Sequence, residues 1–86
     1  MTVDVVEMFK QAALEVDNRR LPDLKADTVI STLGMGSVAV MELVSFFEEK
    51  LSVRIPDEEL SRIRTVKDLR DAIARLAPPG VEIKAA

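Results

Sequence analysis

Hydrophobic residues recur at helical spacing along most of this chain, and no apolar run shows the sustained alternation of a β-strand. The first periodic stretch predicts a helix from about Thr2 or Val3 to Val16, with Thr2 or Asp4 near its start as a cap or dipole partner. One stripe of this helix is expected to be buried and comprises Val6, Phe9, Ala13 and Val16. The N-terminal segment is therefore predicted to be helical almost from its first residue.

A second and clearer pattern predicts a helix from Ser37 to about Leu51. The stripe expected to be buried consists of Val40, Val44, Phe47 and Leu51, and Leu43 widens it. The acids Glu42, Glu48 and Glu49 lie largely off that stripe. This helix is expected to bury one face and to present acidic residues on another.

Two further helices are indicated by the residues at their boundaries. Pro56 and the three acids after it are typical of a helix N-terminus, and they predict a short helix that fades by Ile63. Thr65 and Asp68 have the spacing of a capping box and open the last helix, which Pro78–Gly80 stops. The buried stripe expected for this last helix is Val66, Leu69, Ile73 and Leu76.

These elements predict an all-α fold, a small antiparallel four-helix bundle with three longer helices and one short one. Residues 17–36 lack a hydrophobic period and form a long loop between helices 1 and 2. Loops of this length are uncommon unless they are functional, and a short helical turn is expected within this one. Residues 1–80 are expected to form the domain, and residues 81–86 a flexible C-terminal tail.

The composition of this chain of 86 residues narrows the classes of function. A net charge of −3 and an aromatic content of 3% argue against nucleic-acid binding, which needs clustered cations and stacking platforms. No apolar run approaches the roughly 20 residues that span a bilayer. Acids follow Met1 where a signal peptide would carry basic residues. We therefore expect a cytoplasmic monomer that neither binds nucleic acid nor spans a membrane.

Ser37 is the strongest candidate for chemistry. It follows Gly34 and Gly36 where the loop gives way to the second helix, and backbone amides and the helix dipole favour an anion there. Because the chain has no histidine and no cysteine, neither a serine–histidine nor a cysteine–histidine pair can form. We expect no catalytic residue and no metal site, and interpret Ser37 as a residue that another enzyme modifies. The simpler alternative is that Ser37 only caps the helix.

The order and spacing of these residues resemble the acyl carrier proteins over nearly the whole chain. Gly34-Met35-Gly36-Ser37-Val38 stands in place of the family's Gly-x-Asp-Ser-Leu. Later runs resemble the family's second helix, third helix and fourth-helix entry, namely Met41–Val44, Phe47–Leu51, Val53–Leu60 and Ile63–Leu69. The resemblance implies that Ser37 bears a covalent 4'-phosphopantetheine arm, with Gly36 and Val38 beside the attachment. The thiol of the arm would hold acyl groups as thioesters.

The resemblance also implies partners and a place for the acyl group. Acids on the family's second helix meet basic residues of enzymes, so Glu42 and Glu48 are expected contacts here, with Met41 as a candidate for the apolar centre of the same contact. The implied enzymes are a phosphopantetheinyl transferase, an acyl-loading ligase or synthase, and acyltransferases. Apolar residues of the same helix would line an acyl cleft while also serving as core, and these are Leu43, Val44, Phe47 and Leu51.

Two positions depart from the family pattern. Gly36 replaces the usual Asp, and Ala39 stands where a second acid is frequent. The lost charge predicts altered recognition, so we expect a specialised carrier that serves a dedicated fatty acid, lipid or polyketide pathway. The alternatives are an unmodified scaffold that keeps the carrier fold, a carrier of aminoacyl or peptidyl cargo, and a domain of a larger synthase. A small helical enzyme is disfavoured, because Glu42 and Glu48 have no evident pocket to shift their pKa values.

Overall fold

The computed structural model describes residues 1–84 and arranges them mainly as helices. In chain order the elements are β1 (Thr2–Val3), α1 (Val5–Asp17), a 3-10 turn (Ile30–Leu33), α2 (Ser37–Leu51), α3 (Asp57–Leu60), α4 (Val66–Leu76) and β2 (Glu82–Ile83). The expected helical bundle is confirmed over these residues, with three longer helices, a short third one and a long connection before α2. The helical turn expected inside that connection is the 3-10 turn.

The core lies between α1, α2 and α4. Phe9 of α1 and Phe47 of α2 are both fully buried, and their ring centroids are 6.4 Å apart. Such aromatic pairs add about 0.5–1.5 kcal/mol to the burial of their area. Other buried residues of the three longer helices are Val5, Ala12, Ala13, Leu43, Val44, Leu51, Val66, Leu69, Ala72 and Ile73. The stripes of α2 and α4 match the prediction except that Val40 and Leu76 are half-buried and that Ala72 of α4 is buried as well.

The start of α1 differs from the prediction. Asp4 is the N-cap and its Oδ1 accepts a hydrogen bond from the Glu7 backbone N–H at 3.2 Å, so the helix begins at Val5. Its buried face is therefore Val5, Phe9, Ala12 and Ala13, and the predicted Val6 and Val16 are only half-buried. By contrast, the capping box of α4 is confirmed: the Thr65 hydroxyl accepts from the Asp68 N–H, and the Asp68 carboxylate accepts from the Thr65 N–H.

The long connection is tied to the start of α4 by backbone hydrogen bonds. The Ile30 N–H donates to the Arg64 carbonyl at 2.8 Å, and the Lys67 N–H donates to the Ala26 carbonyl at 2.7 Å. Leu24 contributes a side chain that is only 6% exposed. The connection thus packs as part of the domain, and its contacts fix the position at which α2 begins.

The tail expectation is wrong for residues 81–84. β2 pairs in parallel with β1, with Val3 opposite Ile83. The Glu82 N–H donates to the Met1 carbonyl at 2.7 Å, and the Lys84 N–H donates to the Val3 carbonyl at 2.8 Å. Strands of two residues are too short to show alternation, which is why the hydrophobic pattern did not predict them. The last two positions of the predicted tail, 85 and 86, lie outside the described residues.

Candidate functional site

Ser37 is the first residue of α2, and Gly36 occupies the N-cap position with an extended backbone (φ −70°, ψ 165°). No side chain makes a capping hydrogen bond at this helix end among the described residues, so the Ser37 hydroxyl is not used as a cap. Ser37 is exposed, and its neighbour Val38 is 71% exposed. The simpler interpretation of Ser37 as a helix cap therefore loses its support. The hydroxyl is open to solvent beside backbone N–H groups that the helix does not satisfy itself.

The two glycines before Ser37 have different roles. Gly34 ends the 3-10 turn in the left-handed region (φ +75°), a conformation that glycine adopts without steric cost. Gly36 has an ordinary φ, and a Cβ added there would meet no atom within 4 Å. The backbone conformation at position 34 strongly favours glycine. At position 36 a side chain would meet no steric obstacle at its Cβ, so crowding there does not explain the absence of an acid.

An open groove of about 500 Å³ runs along α2 from Ser37. Its lining is Val16, Ser37, Val38, Met41, Glu42, Ser45, Phe46 and Glu49. Met41, which is 52% exposed, and the exposed Glu42 are two of the three predicted partner contacts, and the structure brings both together with Ser37. Phe46 was not singled out from the sequence. It is half-buried, with the Lys50 Nζ 5.5 Å from its ring centroid.

Glu48, the third predicted partner contact, lies elsewhere. It is half-buried, and its Oε2 accepts a hydrogen bond from the Ile55 backbone N–H at 2.9 Å. Glu48 lines a second open groove, of about 640 Å³, at the C-terminal half of α2 and the start of α3. Its carboxylate therefore already has a partner within the protein, unlike the expectation of a free surface acid.

A smaller, more enclosed cavity of about 190 Å³ lies beneath α2 and α3. Of the four predicted cleft residues, Leu43 and Val44 line it, whereas Phe47 and Leu51 do not and are 0% and 1% exposed in the core. The other lining residues are Phe9, Ile30, Val40, Met41, Leu60, Ile63 and Leu69. Met41 also lines the groove that begins at Ser37, so this side chain lies between the surface and the cavity.

Several cavity residues were missed from the sequence for a physical reason. Ile30, Leu60 and Ile63 belong to the loop, to α3 and to the turn after α3, where hydrophobic spacing carries little information. Val40 belongs to the predicted α2 stripe, and the structure shows it half-buried and lining the cavity, which the hydrophobic pattern alone does not reveal.

The carboxyl groups with shifted pKa values lie between α3 and α4. A hydrogen bond from Arg75 lowers the pKa of Glu59, with donor–acceptor distances of 3.2 and 2.8 Å to its two oxygens. Backbone N–H groups of Arg64 and then Thr65 lower the pKa of Asp68. Both shifts favour the charged forms: the Glu59 shift arises from an ion pair that joins α3 to α4, and the Asp68 shift from the capping box at the start of α4. They give no general acid or base to Ser37.

Two further features bear on the site. Within residues 1–84, no helix is long and apolar enough to cross a membrane. Over the same residues, no cluster of three or more acidic, histidine or cysteine side chains could hold a metal ion.

Comparisons with known proteins all lead to phosphopantetheine-bearing carrier proteins. A family model described as "Phosphopantetheine attachment site" matches residues 7–73, a span that includes Ser37. The acyl carrier protein of Helicobacter hepaticus is 45% identical over 67 residues, which are 76% of each chain. The anthracycline acyl carrier protein DauA of Streptomyces sp. strain C5 is 49% identical over 47 residues, 52% of this chain and 56% of that protein. The crystal structure of an acyl carrier protein from Thermotoga maritima superposes with a TM-score of 0.77 at 36% identity, covering 84% of this chain and 85% of the other.

Proposed function

Because the chain belongs to the acyl carrier protein family, we propose that Ser37 is the residue that bears its 4'-phosphopantetheine. The protein is an acyl carrier rather than an enzyme, and the group is attached covalently. The observation that carries the assignment to Ser37 is its exposed hydroxyl at the first position of α2, which no helix cap uses. A transferase needs that access to form a phosphodiester.

The residues around Ser37 fit a phosphodiester. Its negative charge would lie at the N-terminus of α2, where the helix dipole contributes about 0.3–1 kcal/mol and unsatisfied N–H groups face it. No acid stands in the first turn of α2 to oppose that charge. The arm supplies a terminal thiol for acyl thioesters, which this chain without cysteine cannot provide.

Partner contact is proposed for the first half of α2. Met41 and Val38 offer exposed apolar surface beside Ser37, and Glu42 offers a charge to a basic partner. Methionine adapts to partners of different shape, which suits a surface that meets a transferase, a loading ligase or synthase, and acyltransferases in turn. Encounter would take place in the cytoplasm between a monomeric carrier and enzymes with basic patches.

The cavity beneath α2 is proposed to shelter the start of the acyl chain. Leu43 and Val44 line it, and the buried Phe47 packs against Phe9, another lining residue, whereas Leu51 lies in the core without lining the cavity. An apolar cavity of about 150 Å³ accommodates benzene, so 190 Å³ suits a short hydrocarbon segment. Longer cargo would require α3 to move.

A dedicated pathway is supported by the start of α2. A Cβ at position 36 would meet no atom within 4 Å, yet the chain carries Gly36 there instead of an acid, and Ala39 adds no charge. A transferase or synthase that contacts acids at these positions would bind this carrier less tightly, by about 0.2–1 kcal/mol of binding free energy for each missing contact. The similarity to an anthracycline acyl carrier protein supports a polyketide pathway among the dedicated ones.

Incubation of the unmodified protein with a phosphopantetheinyl transferase and coenzyme A, read by intact mass, tests the assignment. The wild type and Ser45→Ala are expected to gain one phosphopantetheine, and Ser37→Ala none. Ser45 is the matched control because it is another exposed serine of the same groove. Modification that persists in Ser37→Ala would overturn the assignment. An unmodified wild type would favour the scaffold that keeps the carrier fold.

A further inference from the structure

Helix α3 is too short to hold its own position. It spans only Asp57–Leu60, and a single isolated turn is unstable in water. Yet it places Leu60 against the cavity beneath α2, and Ile63 follows in the turn after it. The contacts that fix α3 therefore decide how far this side of the cavity is closed.

The first such contact joins α3 to α4. Arg75 donates from Nη1 to Glu59 Oε1 at 3.2 Å and from Nη2 to Oε2 at 2.8 Å, a bidentate pair. The Glu59 side chain is only 17% exposed, and it directly precedes Leu60. The ion pair thus fixes the end of α3 that carries the cavity residue.

The second contact joins α2 to the start of α3. Glu48 Oε2 accepts from the Ile55 N–H at 2.9 Å. Ile55, which is 5% exposed, comes directly before Pro56, the N-cap of α3. The hydrogen bond is charge-assisted, and it crosses seven residues of chain to fix the other end of the short helix.

We propose that Glu48 and Glu59 are positioning residues that clasp α3 at its two ends and so set how well the cavity shelters an acyl chain. The statement about acyl chains depends on the function proposed above, whereas the clasp itself is a property of the unmodified protein. Glu48 then acts through the Ile55 N–H rather than as a free surface acid. Loss of either contact leaves the core of α1, α2 and α4 in place while α3 moves more freely.

Backbone hydrogen exchange in the unmodified protein tests the clasp without any cargo. The Leu60 and Ser61 amides, which donate within α3 to Pro56 and Asp57, report on α3, and the Phe47 amide reports on the core. Arg75→Gln and Glu48→Met are expected to speed exchange at Leu60 and Ser61 about three- to fivefold with the Phe47 amide unchanged. Equal exchange in wild type and both variants would overturn the clasp.

Matched variants separate the contacts from general effects of charge. Glu48→Gln keeps an acceptor for the Ile55 N–H, and the swapped pair Glu59→Arg with Arg75→Glu restores an ion pair, so both are expected to exchange within about twofold of wild type. Glu49→Met removes an exposed acid next to Glu48, and Lys10→Gln breaks an exposed pair on α1. Faster α3 exchange in these two controls would overturn the assignment to Glu48 and Glu59.

A second measurement links the clasp to the cargo. The rate at which hydroxylamine cleaves the thioester is measured on protein loaded with a hexanoyl or an acetyl group. Wild type is expected to protect hexanoyl relative to acetyl, and Arg75→Gln and Glu48→Met to lose about three- to fivefold of that protection. Equal rates for the two groups in wild type would overturn sheltering in the cavity, while hydrogen exchange still decides the clasp. If both variants protect the hexanoyl group as well as wild type does, the clasp does not control sheltering, and only that part of the proposal is overturned.

Discussion

Arg19 and Gly34 join the end of α1 to the loop that leads to Ser37. The Arg19 Nη2 donates to the Gly34 carbonyl at 3.3 Å, while its Nε donates to Asp17 at 2.9 Å. Gly34 makes this approach in the left-handed region, with Arg19 Nη1 3.6 Å from the place of a Cβ. The turn before Ser37 therefore depends on the backbone conformation of Gly34 and on a hydrogen bond from Arg19, which lies two residues after the end of α1.

Gly34→Ala is expected to lower the free energy of unfolding by about 1–2 kcal/mol, because alanine is strained at φ +75°. Gly36→Ser is the matched change two residues later, where φ is ordinary and serine is a good N-cap. It is expected to leave stability unchanged or to raise it by a few tenths of a kcal/mol. Urea unfolding of the two variants checks this, and equal losses would contradict the difference between the glycines.

Gly36→Asp is expected to speed modification of Ser37 about two- to fivefold with a transferase that reads an acid before the serine, since a rim contact is worth about 0.5–1 kcal/mol. Gly36→Asn is the control, because it caps the helix equally well without adding charge. The measurement is the initial rate of coenzyme A-dependent mass gain. Equal rates for the two variants would show that the missing acid does not alter recognition.

Much of the fold could be predicted because the long helices carry strong periodic patterns and explicit boundary residues. The limits of α2 coincide with the prediction, and Thr65 and Asp68 make the capping box that their spacing indicates. The start of α1 was placed too early because Val3 continues the apolar pattern and Thr2 could serve as a cap, although both residues pair with β2. That pairing joins the two ends of the described chain, and no local pattern encodes it.

Only part of the candidate site could be predicted from the sequence. The position of Ser37 follows from local sequence, and so do the exposed Met41 and Glu42 on the same helix. The cavity depends on long-range packing: it is lined by Ile30 from the loop and Leu60 from the short α3, and it does not include Phe47, which the resemblance to acyl carrier proteins had implied. Glu48 was interpreted as a surface acid because its bond to the Ile55 N–H arises only when the chain turns into α3.

Acid is expected to destabilise the protein through Glu59 and Asp68. Both carboxyls have pKa values lowered in the folded state from ordinary values of 4.5 and 3.8, by Arg75 and by backbone N–H groups respectively. Their stabilisation is therefore present above those ordinary values and is lost as the pH falls through the lower, folded pKa values. Urea midpoints measured between neutral pH and pH values below 3.8 are expected to fall, with the decline beginning below about 4.5.

Variants identify the groups responsible for this pH dependence. Asp68→Asn and Glu59→Gln are each expected to start from a lower midpoint at neutral pH and to show a shallower decline in acid. Glu7→Gln, which alters an exposed acid with a salt bridge on α1, is the control and is expected to follow the wild-type slope. A wild-type slope in both variants would place the acid sensitivity elsewhere.

Truncation after Gly80 is expected to lower the free energy of unfolding by about 1–3 kcal/mol. The truncated chain lacks the Glu82 N–H bond to Met1 and the Lys84 N–H bond to Val3, and each backbone hydrogen bond contributes about 0.5–1.5 kcal/mol net. Val81 and Ile83, which pack partly buried against the core, are lost as well. Truncation after Lys84 retains these contacts and is the reference for urea unfolding. If truncation after Gly80 matches this reference, residues 81–84 are dispensable, as the sequence alone suggested, and the pairing of β1 with β2 contributes nothing to stability.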